Sequence, residues 1–341
     1  MPNYKHLYNM TTTTGILQFS KCHHPDPDSG YTLDDNARAL LVALAMGDEG
    51  YPLALTYTHY LEHSWQANNT WCNLLLHGDY LSDLNSEDSF GRAFWACSAG
   101  SRSKWPLIAG SCTNMLERAV PCLPFLNSAR GLAYCLIGLC KGQFPFINAK
   151  SINNLIHMLA DRLLALYHNE HSPDWLWFED KITYCNGIMP HALFAVYASI
   201  GNRKYLKIAH ASLGFLNHHL FAKGYLNIVG NEGWYVRGGK MPLWDQQPVD
   251  AASIVFACHE AYQVTGRNEY KTLLRLAYQW YRGANLNGLP LYDVESGGCF
   301  DALTRQGVNL NQGAEAALSL LASDLLLTGY CSDDLPQAQS L

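Results

Sequence analysis

Six times along this 341-residue chain a polar loop, marked by glycine, proline or asparagine, runs straight into an apolar stretch of helical periodicity. The transitions are Thr32–Arg38, Glu87–Arg92, Asn127–Arg130, Tyr184–Gly187, Gln246–Asp250 and Asn309–Glu315. Their spacing of about 40 to 65 residues leaves room for two helices and a long loop in each repeat. Periodicity and stop signals predict paired helices at 33–47 with 51–67, 87–100 with 105–121, 128–141 with 148–168, 186–200 with 203–222, and 248–265 with 268–283. A last long helix at 311–328 has no successor, and Tyr4–Met10 supplies the missing partner if the ends meet.

This pattern implies an all-α fold, an (α/α)6 barrel, in which inner helices begin at the six polar motifs and outer helices return between them. Trp71–Tyr80 and Tyr225–Lys240 read as short strands or hairpins in the loops over the cavity. An open superhelix of hairpins would need polar capping ends and repeats more alike than these. No linker or low-complexity tract divides the chain, so one catalytic domain over residues 1–330 is expected, followed by a polar tail at 331–341.

The chain is 48% hydrophobic and 12% aromatic, enough for a large core with aromatic surface to spare. Its 23 Lys and Arg against 29 Asp and Glu, a net charge of −6, include no basic stripe, which argues against a nucleic-acid partner. The 11 cysteines are odd in number, contain no C-x-x-C pair and fall mostly in apolar runs, the pattern of buried thiols in a reducing compartment. No signal sequence and no span of bilayer length is evident, so a cytoplasmic location is expected. His23-His24 with Asp26 and Asp28 lacks metal-ligand spacing, and P-loop, dinucleotide and nucleophile-elbow motifs are missing, so neither metal nor cofactor is expected.

Carboxylates carry the chemistry that remains. Asp34 and Asp35 open the first inner helix, where free amides and the helix dipole favour negative charge. Arg38, one turn beyond Asp34, is expected to pair with it, which leaves Asp35 for a substrate or a water. Asp88 and Arg92 repeat that spacing at the second start and suit substrate positioning. The run Asp174–Asp180 mixes acids with aromatics, and within it Trp177, Glu179 and Asp180 fit a sugar, whose ring faces stack on aromatic planes while its hydroxyls donate to carboxylates. Asp250 follows Pro248 in a first turn, where it could equally serve the helix amides. Glu315 sits among small apolar neighbours, so desolvation is expected to raise its pKa and fit it for a general acid. Asn186, His191, Gln247, Asn311 and Gln312 add polar groups suited to hydroxyls, although a histidine on an apolar helix is more often a satisfied core group.

Four segments, Gly30–Leu40, Trp177–Tyr184, Gln247–Ala252 and Gly307–Glu315, together resemble the all-helical domain of six-hairpin glycosidase type that occurs alone or fused behind bacterial glycosyltransferase modules. The resemblance spans about residues 5 to 328. It implies a toroid with a carbohydrate-processing cavity, an oligosaccharide or glycoconjugate substrate and a separate glycosyltransferase as a partner. The adjacent Asp34-Asp35 is similar to the acid pair of some endo-acting α-mannan hydrolases on this fold. The chain departs from those relatives at Tyr184–Ile188 and Met189–His191, which alters one wall of the implied site.

The expected function is glycoside hydrolysis, with Asp35 as base or nucleophile, Glu315 as acid, and Asp34, Asp180 and Asp250 as further catalytic candidates. An epimerase in which His191 and a nearby acid move a proton, and an inactive carbohydrate-binding protein, are the alternatives.

Overall fold

A computed structural model describes residues 2–67 and 69–328. Twelve α-helices among them, numbered in chain order, form two concentric rings. The inner ring is α2 (Leu33–Ala45), α4 (Glu87–Gly100), α6 (Ala129–Lys141), α8 (Ile188–Ile200), α10 (Pro248–Thr265) and α12 (Ala314–Thr328). The outer ring is α1 (Lys5–Met10), α3 (Tyr51–His63), α5 (Pro106–Ala119), α7 (Ala149–Glu170), α9 (Arg203–Leu220) and α11 (Asn268–Gln279). Each inner helix packs on the next, α12 packs on α2, and α1 packs on α12, so the ring closes as the sequence pattern implies. At the closure His6 Nε2 lies 2.7 Å from the Gln312 carbonyl.

Local chemistry starts the helices where the sequence indicates. The hydroxyls of Thr32, Ser86 and Ser128 cap α2, α4 and α6 by accepting the amides of Asp35, Ser89 and Gly131. Pro248 opens α10. The inner helices are apolar on more than one side because they touch both rings; Leu40, Phe94, Leu136, Leu193, Ile254 and Leu320 are fully or almost fully buried. Each such side chain contributes about 1.5–3 kcal/mol on leaving water. Close approach depends on glycine at the α8–α10 contact, where a Cβ on Gly187 would stand 2.1 Å from the Ser253 carbonyl oxygen.

Some boundaries differ from expectation. The third helix ends at His63, and the last begins at Ala314 because the residues before it bond elsewhere: the Gln312 and Ala314 amides donate to the Cys22 and Gln18 carbonyls. The hairpin expected within Trp71–Tyr80 forms from strands Leu74–Leu76 and Asp79–Leu81. Tyr225–Lys240 makes no hairpin of its own; Tyr235–Val236 pairs with Lys181–Ile182 instead. Strands Ala302–Thr304 and Gly307–Asn309 form a hairpin that the sequence reading missed. The tail expected at 331–341 lies outside the described residues. No described helix is long and apolar enough to cross a membrane.

Candidate active site

The first turns of α2 and α12, with the loops leading into α10 and α12, enclose a cavity of about 380 Å³. Asp34, Asp35, Asp245, Asp301 and Glu315 line it, and Arg38 is the one cation among its lining residues.

Arg38 organises this wall. Its Nη1 donates to Asp35 Oδ1 at 2.9 Å and its Nη2 to Glu315 Oε2 at 2.5 Å, so one planar guanidinium holds carboxylates from two inner helices side by side. The second oxygen of Asp35 accepts the Thr32 hydroxyl at 2.7 Å. Burial pushes the Asp35 carboxyl up to about 6, against the pull of Arg38 and with the charge of Glu315 adding to the rise. Glu315 itself keeps 43% of its side chain exposed, so the desolvation expected from its apolar neighbours is not found. Neighbouring positions on a helix point in different directions, and Ala314, Ala316 and Ala317 turn into the core while Glu315 turns to the cavity.

Apart from Arg38–Asp35, the ion pairs of this wall cross between helices. Asp34 does not pair with Arg38; it accepts Arg92 Nη1 at 2.8 Å and the Asn73 amide at 3.4 Å. Burial raises its pKa, but Arg92 and Arg38 outweigh that and leave the carboxyl below the ordinary range. Asp35 is therefore not left free, and each aspartate of the pair is held by an arginine of its own. Asp88 likewise does not meet Arg92; it accepts the hydroxyls of Tyr184 at 2.6 Å and Ser128 at 3.1 Å. An exposed i,i+4 pair is worth only a few tenths of a kcal/mol. Here the arginines are buried between helices, Arg92 satisfied by Asp34 of α2 and Arg38 by Asp35 of its own helix and Glu315 of α12.

Further round the ring Arg130 donates to both Glu179 oxygens at 3.1 and 3.0 Å, to the Tyr184 carbonyl at 2.7 Å and to Asn186 Oδ1 at 3.4 Å. Glu179 and Asn186 are thus tied into a polar strut beside the cavity. Asp250 is 2% exposed. Its Oδ1 accepts the Cys185 amide at 2.5 Å and its Oδ2 has no hydrogen-bond partner among the described residues. Burial pushes its carboxyl up to about 8, the Cys185 hydrogen bond opposing and Glu315 adding to the rise.

Several predicted residues lie elsewhere. Trp177 is fully buried in the core and offers no face to a sugar. Asp180 is exposed and lies off the cavity wall. Gln312 is buried in a network with Ser296 and Asp293, and Asn311 accepts the Cys22 amide. His191 is buried, its ring edge-on to Trp95 with centroids 6.0 Å apart, and its Nε2 is 3.7 Å from Glu260. Burial drives its pKa well below the ordinary histidine value. Gln247 does line the cavity.

Sequence reasoning missed Asp301 and Asp245. Asp301 accepts the Gly313 amide at 2.6 Å, and burial pushes it up to about 6. It precedes a hairpin rather than a helix, so no helix-start signal marks it. Asp245 faces the cavity from a left-handed backbone, φ +60°, which costs a non-glycine residue about 1–3 kcal/mol and is characteristic of functional sites. It stands directly before the Gln246–Asp250 motif, and extending that motif by one residue would have found it.

No family model and no curated protein matches the chain. Solved structures do. A D-mannose isomerase superposes with a TM-score of 0.70 at 15% identity, covering 95% of each chain. A cellobiose 2-epimerase from Spirochaeta thermophila gives 0.68 at 14% identity, covering 93% of this chain and 89% of its own. A family GH76 α-mannanase from Bacteroides thetaiotaomicron gives 0.61 at 14% identity, with coverage of 88% and 86%. These neighbours are (α/α)6 toroid enzymes, and at such identities what they share with this chain is the fold.

Proposed function

We propose that this chain is a glycoside hydrolase that cleaves an oligosaccharide or glycoconjugate in the carboxylate-lined cavity, with Asp35 and Glu315 as the reacting pair. The observation that carries the reading is the double grip of Arg38 on these two carboxylates at the cavity wall. Glycosidic cleavage needs one carboxyl group that can deliver a proton to the leaving oxygen and one carboxylate that attacks or activates water. Burial reverses the roles expected from sequence. With its pKa at about 6, Asp35 still holds a proton in a useful fraction of molecules near neutral pH and fits the acid. Glu315, partly exposed and ion-paired, fits the nucleophile or base. Asp34, held charged by Arg92, and Gln247 fit roles in orienting the sugar. Asp301 and Asp245 extend the hydroxyl-binding wall. The catalytic unit is the toroid of residues 1–330, and the resemblance of its motifs makes a glycosyltransferase the partner to test.

The epimerase alternative assigned its proton transfer to His191. That ring lies off the cavity wall, which favours the two-carboxylate reading.

A panel of α- and β-linked oligosaccharides assayed for new reducing ends tests the proposal. Asp35→Asn and Glu315→Gln should each lower turnover of the cleaved glycan by about 10²–10⁴-fold, with thermal unfolding nearly unchanged. Isomerised sugar without new reducing ends would move the reading to an epimerase, and full activity in both variants would sink the assignment.

A further inference from the structure

Beneath the arginines the toroid contains a second space of about 280 Å³, reaching from Arg38 and Arg92 toward the C-terminal ends of α2 and α12. Its walls are Leu318, Ile188, Val249 and three aromatic rings. Trp95 stacks on Tyr134 with centroids 6.0 Å apart and planes at 21°, and Phe256 meets Trp95 edge-on at 6.3 Å. Ala322, Leu325 and Leu326 at its far end are partly exposed, so the chamber is reached from the face opposite the carboxylate cavity.

Well-packed interiors leave few voids larger than a water molecule, and an apolar cavity of about 150 Å³ is already enough to take up benzene. This chamber is nearly twice that size. Its few polar groups are already engaged. Arg38 is bonded to Asp35 and Glu315, and Arg92 to Asp34 with its guanidinium 4.8 Å from the Tyr134 ring centre. The Ser253 hydroxyl donates to the Asp250 carbonyl and accepts the Gly187 amide, and the Ser319 hydroxyl donates to the Glu315 carbonyl. Cys185 Sγ is 3.5 Å from Arg92 Nη2. The rest of the lining is aliphatic or aromatic apart from Cys185, the Trp95 indole N–H and the Tyr134 hydroxyl, and no carboxylate is part of it. Water there would find too few partners to be well held.

We propose that this chamber is a binding site for one uncharged apolar molecule of about two fused rings, distinct from the carboxylate cavity and bounded from it by Arg38. Shape and aromatic lining select the ligand, and the neutralised arginines give a charged analogue no advantage to offset its desolvation. The inference does not depend on the hydrolase reading, because its readout is binding.

Isothermal titration of the full chain with 2-naphthol, and with naphthalene-2-sulfonate as the charged counterpart, tests it. The expected result is one saturable site for 2-naphthol with a negative heat-capacity change, and at least tenfold weaker binding of the sulfonate. Leu318→Trp, which adds a large ring to the chamber wall, should weaken 2-naphthol at least tenfold. Ala322→Trp, at the partly exposed rim, should do the same and covers the case in which the first variant does not fold. 2-Naphthol should raise the melting temperature of the parent chain but not of the filled variants. No saturable heat, undiminished binding in a folded filled variant, or equal affinity for the sulfonate would overturn the proposal.

Discussion

Asp250→Asn should make the protein more stable above neutral pH by removing a carboxyl group that resists ionisation. In the folded chain Asp250 holds its proton up to about pH 8, against an ordinary value of 3.8, because it is buried. Between those two values the folded state keeps a proton that the unfolded state has released, so stability falls as pH rises and is flat outside the window. Each pKa unit corresponds to about 1.36 kcal/mol, which makes the full cost about 5 kcal/mol at pH 8 as an upper bound. Asparagine preserves the shape and the acceptor for the Cys185 amide, and its amide nitrogen replaces an oxygen that has no hydrogen-bond partner among the described residues. Asp35 and Asp301 also shift upward, to about 6, so the parent and the variant share a slope below that pH. The informative comparison is therefore between pH 6 and 8. Urea titrations at half-unit intervals should show the variant gaining on the parent by 1 kcal/mol or more per pH unit, up to about 3 kcal/mol across this range. Parallel profiles, or a variant that loses ground toward pH 8, would refute the claim that Asp250 is folded in its neutral form.

Two further substitutions probe the frame around the site. Trp177→Ala should cost about 3–5 kcal/mol in urea or thermal unfolding, because the ring is fully buried, while turnover per folded molecule stays within a few-fold of the parent; a selective rise in KM without loss of stability would restore the ring to the substrate. Gly187→Ala should destabilise by at least about 1–3 kcal/mol, since its Cβ would lie 2.1 Å from the Ser253 carbonyl oxygen and α8 would have to move off α10. An unchanged urea midpoint would show that the two helices are less tightly seated.

Helix starts were legible because their causes are local. Thr32, Ser86 and Ser128 each cap the helix that the apolar period then continues, and neither signal needs a partner from elsewhere. Closure of the ring followed from counting: a twelfth helix without a neighbour needed one, and α1 is the segment that supplies it. Partner choice was not legible. Spacing offered Arg38 to Asp34 and Arg92 to Asp88, whereas the structure gives Arg38 to Asp35 and Glu315 and Arg92 to Asp34. Arg38–Asp35 is an i,i+3 contact within α2, but Arg92–Asp34 and Arg38–Glu315 join residues 58 and 277 positions apart, which no intrahelical rule can anticipate. Trp177 misled for a related reason: an aromatic beside acids looks like a sugar platform until the side of the segment that faces the core is known.

The distribution of charge around the cavity follows from this crossing. Among the described residues Asp34, Asp35 and Glu315 meet only Arg38 and Arg92 in direct ion pairs, while Asp250 and Asp301 accept backbone amides. Counting Asp245, six carboxyl groups share this region with Arg38 and Arg92, and in a partly dry space the least solvated of them should hold their protons longest. They do: Asp35 and Asp301 rise to about 6 and Asp250 to about 8, whereas Asp34, next to Arg92, falls. Two adjacent residues of one helix turn thus shift in opposite directions: burial outweighs Arg38 at Asp35, whereas Arg92 and Arg38 together outweigh burial at Asp34. Asp35 and Asp301, both shifted upward, border the same cavity as the partly exposed Glu315, and under the proposed hydrolase reading that arrangement sets a proton donor beside a base before any substrate arrives.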